Sequence, residues 1–224
     1  MGEAIGQILP MAVGIAISPI PIIAVILMLV TAKARVNGPA FVLGWLIGLA
    51  ILGILVIGVA AGVGTSSGTP ANWILWLQLV LGGLLLLVAL RQFRSRPKAG
   101  ETAPMPRWMG AIDAFTPGKA LGAGILLSSL NPKNLLLGVA GAATIAQASI
   151  PTGQQAIAYI VFALIASIGV AAPVVIFFAL GDRAPALLER MKTWMGQNNA
   201  VIMAILCLII GVKLIGQAFG GLTS

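Results

Sequence analysis

Two short motifs contain the residue types best suited to chemistry in this sequence. Ser18-Pro-Ile-Pro21 and Asn131-Pro-Lys-Asn134 each place a small polar residue directly before a proline, inside a long apolar run. Serine or asparagine before proline is typical of a helix N-terminus, where the polar side chain caps the helix and proline takes its first position. We therefore predict that a helix is interrupted at each motif, at Pro19/Pro21 and at Pro132.

The second motif adds a positive charge at its break. Lys133 lies in an apolar run without aspartate or glutamate, and a lysine deep in a membrane normally has a partner. The N-terminus of a half-helix also attracts anions, through unpaired amides and a partial positive charge. We therefore predict a central cationic pocket that binds an anionic group of a substrate. The predicted substrate-binding residues are Ser18, Pro19, Pro21, Ser128, Asn131, Pro132, Lys133 and Asn134.

Interpretations of these residues that involve no substrate site stay open. Each proline could be a tolerated kink, although Pro19 should leave the Ile15 carbonyl, and Pro132 the Ser128 carbonyl, without its usual amide donor. Lys133 could lose its proton or extend along the helix toward the membrane surface. Asparagine side chains also bond membrane helices to one another without any substrate.

The composition places both motifs in a membrane protein. Of the 224 residues, 59% are hydrophobic and only 8% are charged, whereas a soluble domain has about a quarter of its residues charged. Histidine is absent and Cys207 is the single cysteine, which excludes internal disulfides and Cys/His metal sites. We predict no metal and no cofactor. The net charge of +8 lies in loops between apolar runs, so nucleic acid is not an expected partner.

The apolar runs predict an all-α membrane protein with six transmembrane helices. The predicted spans are roughly residues 5–31, 39–62, 73–90, 120–146, 156–180 and 199–218. Lys213, near the end of the last span, is expected to extend to the membrane surface. Lysine and arginine concentrate in the loops after spans one, three and five, which predicts that these loops are cytoplasmic and that both termini are outside.

The motifs also suggest an internal repeat. Each starts a group of three spans, and the two groups lie about 113 residues apart. An odd number of spans per group inverts the second copy relative to the first, an arrangement found in many secondary transporters. The predicted division is a first three-helix repeat over 1–92, a basic cytoplasmic linker over 93–117 and a second three-helix repeat over 118–224.

The paired motifs resemble those of the lysine-exporter superfamily. Within it, the chain length, the basic linker and the run Ser128-Ser-Leu-Asn-Pro-Lys-Asn-Leu135 look most like the glycopeptidolipid-addressing or sulfolipid-addressing (Sap) family of actinobacteria. The resemblance implies a bacterial plasma-membrane protein that helps to move a cell-envelope lipid or its precursor outward. Ile20 departs from the glycine found in many superfamily members, which weakens any transfer of an amino-acid substrate.

Three functional classes follow from these observations. The first is an exporter of an anionic or amphipathic solute, an envelope lipid or a small amino-acid-like solute, that works by alternating access. The second is a non-transporting accessory protein of a lipid synthesis or export complex. An enzyme is not expected, because the spans lack clustered carboxylates and histidine. Expected partners are membrane lipids and the substrate, with a homodimer or envelope-lipid export machinery as further candidates. Coupling could involve Lys133, could use Asp113 or Asp182 at the cytoplasmic rim, or could be absent.

Overall fold

The computed structural model describes residues 1–62, 72–95, 112, 114–148 and 150–223. These residues are almost entirely helical and contain no strand, so the predicted all-α class is confirmed for them. The α-helices of these residues are, in chain order, α1 Gly2–Ala16, α2 Pro19–Leu29, α3 Ala34–Gly62, α4 Asn72–Arg94, α5 Pro117–Ser129, α6 Pro132–Gln147, α7 Thr152–Leu180 and α8 Ala184–Thr223. Asp113 and most of the predicted linker lie outside the described residues.

Both predicted interruptions are present. The first helix ends at Ala16 and the next begins at Pro19, with a bend of 49° between them. The second pair is divided between Ser129 and Pro132. In each case proline occupies the first helical position, because its missing N–H is not needed there.

Length and composition identify fewer membrane crossings than the sequence patterns predict. Three stretches of the described chain could each cross a bilayer, and the bent pair α1–α2 could form a fourth. The three stretches are Ala34–Ala60, Leu75–Arg94 and the 70-residue stretch Thr152–Gly221. The last stretch combines α7 and α8, joined by a 3-10 turn at Gly181–Arg183. The count of six spans stays a prediction.

The bundle brings the two breaks together through close helix contacts. α1 packs between α6 and α7, α3 lies along α5, and α4 lies along α8. Glycine allows the closest of these approaches. A Cβ on Gly48 of α3 would collide with Ser128 Oγ, and one on Gly169 of α7 would collide with the Ala16 carbonyl at the end of α1. The last turn of α1 is therefore pressed directly against the α7 backbone.

Candidate functional site

The first break is built around Ser18 and two local backbone bonds. Ser18 has extended backbone angles, φ −72° and ψ 109°. Its amide, which would reach the Gly14 carbonyl in a continuing helix, donates instead to Ile15 O at 3.1 Å. Pro19 removes the usual donor of the Ile15 carbonyl, but the Ser18 amide replaces that donor because the turn tightens before Pro19, so this carbonyl is not left free. The carbonyl left for another donor is that of Gly14.

The second break is capped by its own side chain. Asn131 is also extended, with φ −62° and ψ 122°, and its Oδ1 accepts the Lys133 amide at 3.2 Å. The Leu135 amide donates to the Asn131 carbonyl at 2.8 Å, which starts the α6 ladder. Asn131 thus acts as the predicted N-cap. Ser18 makes no such bond to its own helix.

A buried hydrogen bond joins the two breaks. Ser18 Oγ donates to Asn134 Oδ1 at 2.7 Å, although 116 positions separate the two residues in sequence. Asn134 Nδ2 donates to Leu127 O at 3.0 Å, so this amide also links α6 back to α5. Ser18 and Asn134 are 2% and 0% exposed. Both partners satisfy polar groups that would be costly to bury alone.

Lys133 is the charged centre of this arrangement. Its side chain is 1% exposed, and its Nζ donates to the Gly14 carbonyl at 2.6 Å. The last carbonyls of a helix carry a partial negative charge, which favours a cation at that end. The ammonium therefore serves as a C-terminal cap for α1. Among the described residues, its hydrogen-bond partner is a neutral backbone carbonyl and not a carboxylate.

The electrostatic consequence is a head-to-tail meeting of helix ends. The positive N-terminal end of α6, together with Lys133, faces the negative C-terminal end of α1. The position at which an anion was predicted is thus taken by protein in this conformation. An anionic group would have to replace the Gly14 carbonyl as the partner of Lys133. Such an exchange is chemically reasonable, because an anionic acceptor adds the attraction between two full charges, which a neutral carbonyl lacks.

The other predicted site residues are placed differently. Pro19 and Pro21 are buried beside the break, whereas Pro132 is exposed on the outer side of α6. Ser128 is buried, but its Oγ donates to Ile125 O at 3.0 Å and lies against Gly48 of α3. The structure thus joins Ser18 to Asn134 and Lys133 to Gly14, so that both bonds link the end of α1 to the start of α6. It does not bring the exposed Pro132 ring into that group.

The predicted coupling residue Asp182 does not join this group either. Asp182 is exposed in the turn between α7 and α8, and Asp113 lies outside the described residues. Gly181, with φ of +51°, provides the left-handed conformation that starts this turn. Asp182 is thus exposed at a helix end, apart from the buried group, and its position at the cytoplasmic rim stays a prediction.

Two backbone acceptors and one lysine contact were missed by sequence reasoning. Gly14 and Gln7 contribute carbonyls, and a carbonyl leaves no signal in residue type. Lys213 was expected to extend to the membrane surface, but its Nζ donates to Gln7 O at 2.5 Å. The lysine is directed toward α1 because the two helices lie side by side, with Ile210 of α8 against Gly14.

Three cavities are described around the bundle. A cavity of about 410 Å³ lies where α1 begins and α6 ends, and a groove of about 290 Å³ separates α4 from α6. A third, of about 330 Å³, lies between α3 and α7. The first is lined by Met1, Glu3, Ala4, Gln7, Thr144, Gln147, Ala148 and Ile150. Its wall is the most polar of the three, because it contains one carboxylate and two glutamine side chains.

Comparisons with known proteins give one family. The family model described as Sap, sulfolipid-1-addressing protein, matches residues 8–220, which include both breaks and every helix at least in part. No curated protein and no solved structure gives a match to this chain.

Proposed function

The chain belongs to the Sap, sulfolipid-1-addressing protein, family, and we propose that it exports an anionic or amphipathic envelope lipid, or a precursor of one. The buried Lys133–Gly14 contact is the observation that carries this proposal. It places a cation at the meeting point of two interrupted helices, where the partner is an exchangeable neutral carbonyl. An anionic headgroup is the chemistry that would compete best for that ammonium.

The proposed architecture is six spans arranged as two inverted repeats, 1–92 and 118–224, joined by the basic linker 93–117. Helix contacts support it. In a repeat of this kind α1, α2 and α3 correspond to α5, α6 and α7. If each helix is exchanged for its counterpart, the α1–α7 pair becomes α5–α3, and the α1–α6 pair becomes α5–α2. All four of these pairs are in contact. In such transporters one repeat rocks against the other around a fixed central site.

The proposed location is the bacterial plasma membrane, with both termini outside and the basic loops in the cytoplasm. Arg91 and Arg94 in the last turns of α4, and Arg183 after α7, are at ends that face the cytoplasm in this orientation. Positive residues remain preferentially on that side. With this orientation, α1 runs inward and the 410 Å³ cavity opens outward.

In the proposed cycle, the substrate headgroup reaches Lys133 from the cytoplasmic side and displaces the Gly14 carbonyl. Loss of that contact releases the last turn of α1 from α6. The Ser18–Asn134 bond then becomes the remaining direct side-chain link between the two breaks. Rocking of the halves would expose the headgroup outward, and the Gly14 carbonyl would recapture the lysine after release. Asp182 and Asp113 remain candidates for coupling from the rim.

The lipids that co-purify with the protein provide the test. We expect the wild-type protein to retain anionic lipid in detergent, identified by mass spectrometry, and Lys133→Gln to lose about tenfold or more of it. That loss corresponds to one charge-assisted bond. Lys192→Gln is the matched control. It removes the same charge at a different place, the start of α8, where Lys192 pairs with Glu189. The same lipid should then move across proteoliposomes that contain wild-type protein.

An identical lipid profile for wild type and Lys133→Gln would reject the central anion site. Retained binding without transfer in proteoliposomes would instead favour the second candidate function, an accessory protein of lipid synthesis or export. One observation favours that candidate: Lys133 is already paired with protein, as a purely structural clamp would be. Membrane lipids are partners in either case, and export machinery or a second copy of the chain would be needed chiefly by an accessory protein.

A further inference from the structure

A second lysine contacts the same face of α1. Lys133 donates to the carbonyl of Gly14, and Lys213 donates to that of Gln7. Seven residues make about two helical turns, so the two carbonyls lie on one side of α1, roughly 10 Å apart along its axis. The lysines come from different helices, α6 and α8. The two lysines therefore contact one side of α1 at two points, one beside the central break and one closer to the N-terminal end of the helix.

Both lysines hold weak acceptors. An ammonium has three N–H donors, and within the described part of the chain each of these lysines donates to one neutral carbonyl. At Lys213 the remaining donors are suited to the oxygen atoms of a phosphate, sulfate or carboxylate group, whereas the enclosed Lys133 must first give up the Gly14 carbonyl. Lys213 is also only partly buried. A group that arrives at this position can therefore contact the ammonium without first opening the core.

The 410 Å³ cavity adjoins the part of α1 that Lys213 contacts. Gln7, whose carbonyl accepts the Lys213 bond, is one of its lining residues. Gln147 also lines it: Oε1 of Gln147 accepts a bond from Gln78 at 3.3 Å, whereas its buried Nε2 has no hydrogen-bond partner among the described residues. A buried donor without a partner costs about 1–3 kcal/mol. Rotation of the Gln147 side chain would present Nε2 to an acceptor oxygen in the cavity and recover that cost.

We propose that Lys213 and Gln147 form a second station for the anionic group of the lipid, between Lys133 and the outer mouth. The assignment of an outward direction rests on the proposed function. Glu3 lies on the cavity wall at the start of α1 and is exposed. Its carboxylate repels an anion at the rim, so the anionic group is bound at Lys213 and not beside Glu3.

A cysteine reporter tests the charge of this cavity without a known substrate. Ala148 lines the cavity and is half-buried. In a Cys207→Ala background, Ala148→Cys is labelled from outside whole cells with an anionic and a cationic methanethiosulfonate reagent. We expect Lys213→Gln to lower the ratio of anionic to cationic labelling rates about tenfold, as loss of a nearby unit charge would. Lys213→Arg keeps the charge and should retain the ratio, and Lys192→Gln is the distant control.

Protection experiments then identify the source of the anion. Proteoliposomes of phosphatidylcholine, with or without phosphatidylglycerol, are compared with phosphatidylcholine proteoliposomes that receive inorganic phosphate. We expect phosphatidylglycerol to slow labelling severalfold in the protein with native Lys213 and to have little effect in Lys213→Gln. Protection by phosphate alone would overturn the assignment to a lipid. Gln147→Leu should weaken protection while the α1 backbone contact is retained.

Three results would overturn the second station. They are an unchanged labelling ratio in Lys213→Gln, failure of both reagents to reach the introduced cysteine, and equal protection in both proteins. None of these readouts depends on transport or on Lys133. A normal lipid profile in Lys133→Gln together with a changed labelling ratio in Lys213→Gln would therefore reject the central site and keep the second station. A reduced lipid content in Lys133→Gln together with an unchanged labelling ratio in Lys213→Gln would reject the second station and keep the central site.

Discussion

The two helix breaks share a sequence pattern but differ in their surroundings. At the first, Ser18 and Pro19 are both buried, and the serine hydroxyl bonds to the other half of the chain. At the second, Pro132 is exposed and Asn131 caps its own helix. The first break is thus held by neighbouring helices, whereas the second is largely held by its own residues. The difference indicates that the second break forms locally and presents Lys133, and that the first break is shaped to receive it.

The largest effect is expected where α7 presses on the end of α1. Gly169→Leu would put a side chain into the Ala16 carbonyl and displace the last turn of α1. We expect a loss of about 3 kcal/mol or more in the free energy of unfolding, because neither backbone can yield easily. Thermal unfolding in detergent measures it. Gly216→Leu is the control, since a Cβ there meets nothing within 4 Å; equal losses would show that the contact is unimportant.

An intermediate effect is expected at the bond between the breaks. Ser18→Ala leaves Asn134 Oδ1 buried without its donor and should cost about 1–3 kcal/mol, against about 1 kcal/mol for loss of the Asn131 cap in Asn131→Ala. A double-mutant cycle of Ser18→Ala with Asn134→Ala should show coupling of about 0.5 kcal/mol or more. Ser18→Ala with Asn131→Ala should be close to additive. The opposite pattern would mean that the two breaks are held in the same way.

The smallest effect is expected at Pro132. Its ring is exposed in the groove between α4 and α6, and α6 keeps its Asn131 cap without it. Pro132→Ala should therefore change the free energy of unfolding by no more than about 0.5 kcal/mol. Pro19→Ala, at the buried break, should cost more, because the removed ring leaves a cavity. Unfolding midpoints of the two variants in the same detergent make the comparison, and equal costs would contradict the difference in burial.

The sequence predicted the positions of the two helix breaks correctly, but it did not predict most of the contacts made there. Proline imposes local geometry, so Pro19 and Pro132 could be assigned to the first turn of a helix from residue types alone. The cap made by Asn131 followed from the same local rule. The partner of Lys133 could not follow, because the Gly14 carbonyl is a backbone group whose availability depends on how Ser18 turns. The missed contact of Lys213 has the same cause.

The sequence by itself determined an apolar, helical chain with two interruptions and one lysine close to the second. Local geometry and the cost of burying polar groups are sufficient for that, since both depend on residue type. Only the tertiary structure decided that Ser18 bonds to Asn134, that the Pro132 ring is exposed and that both lysines bond to α1. These outcomes depend on which helices are neighbours, and neighbours are chosen by the packing of the whole bundle, in which glycines such as Gly48 and Gly169 allow the closest approaches.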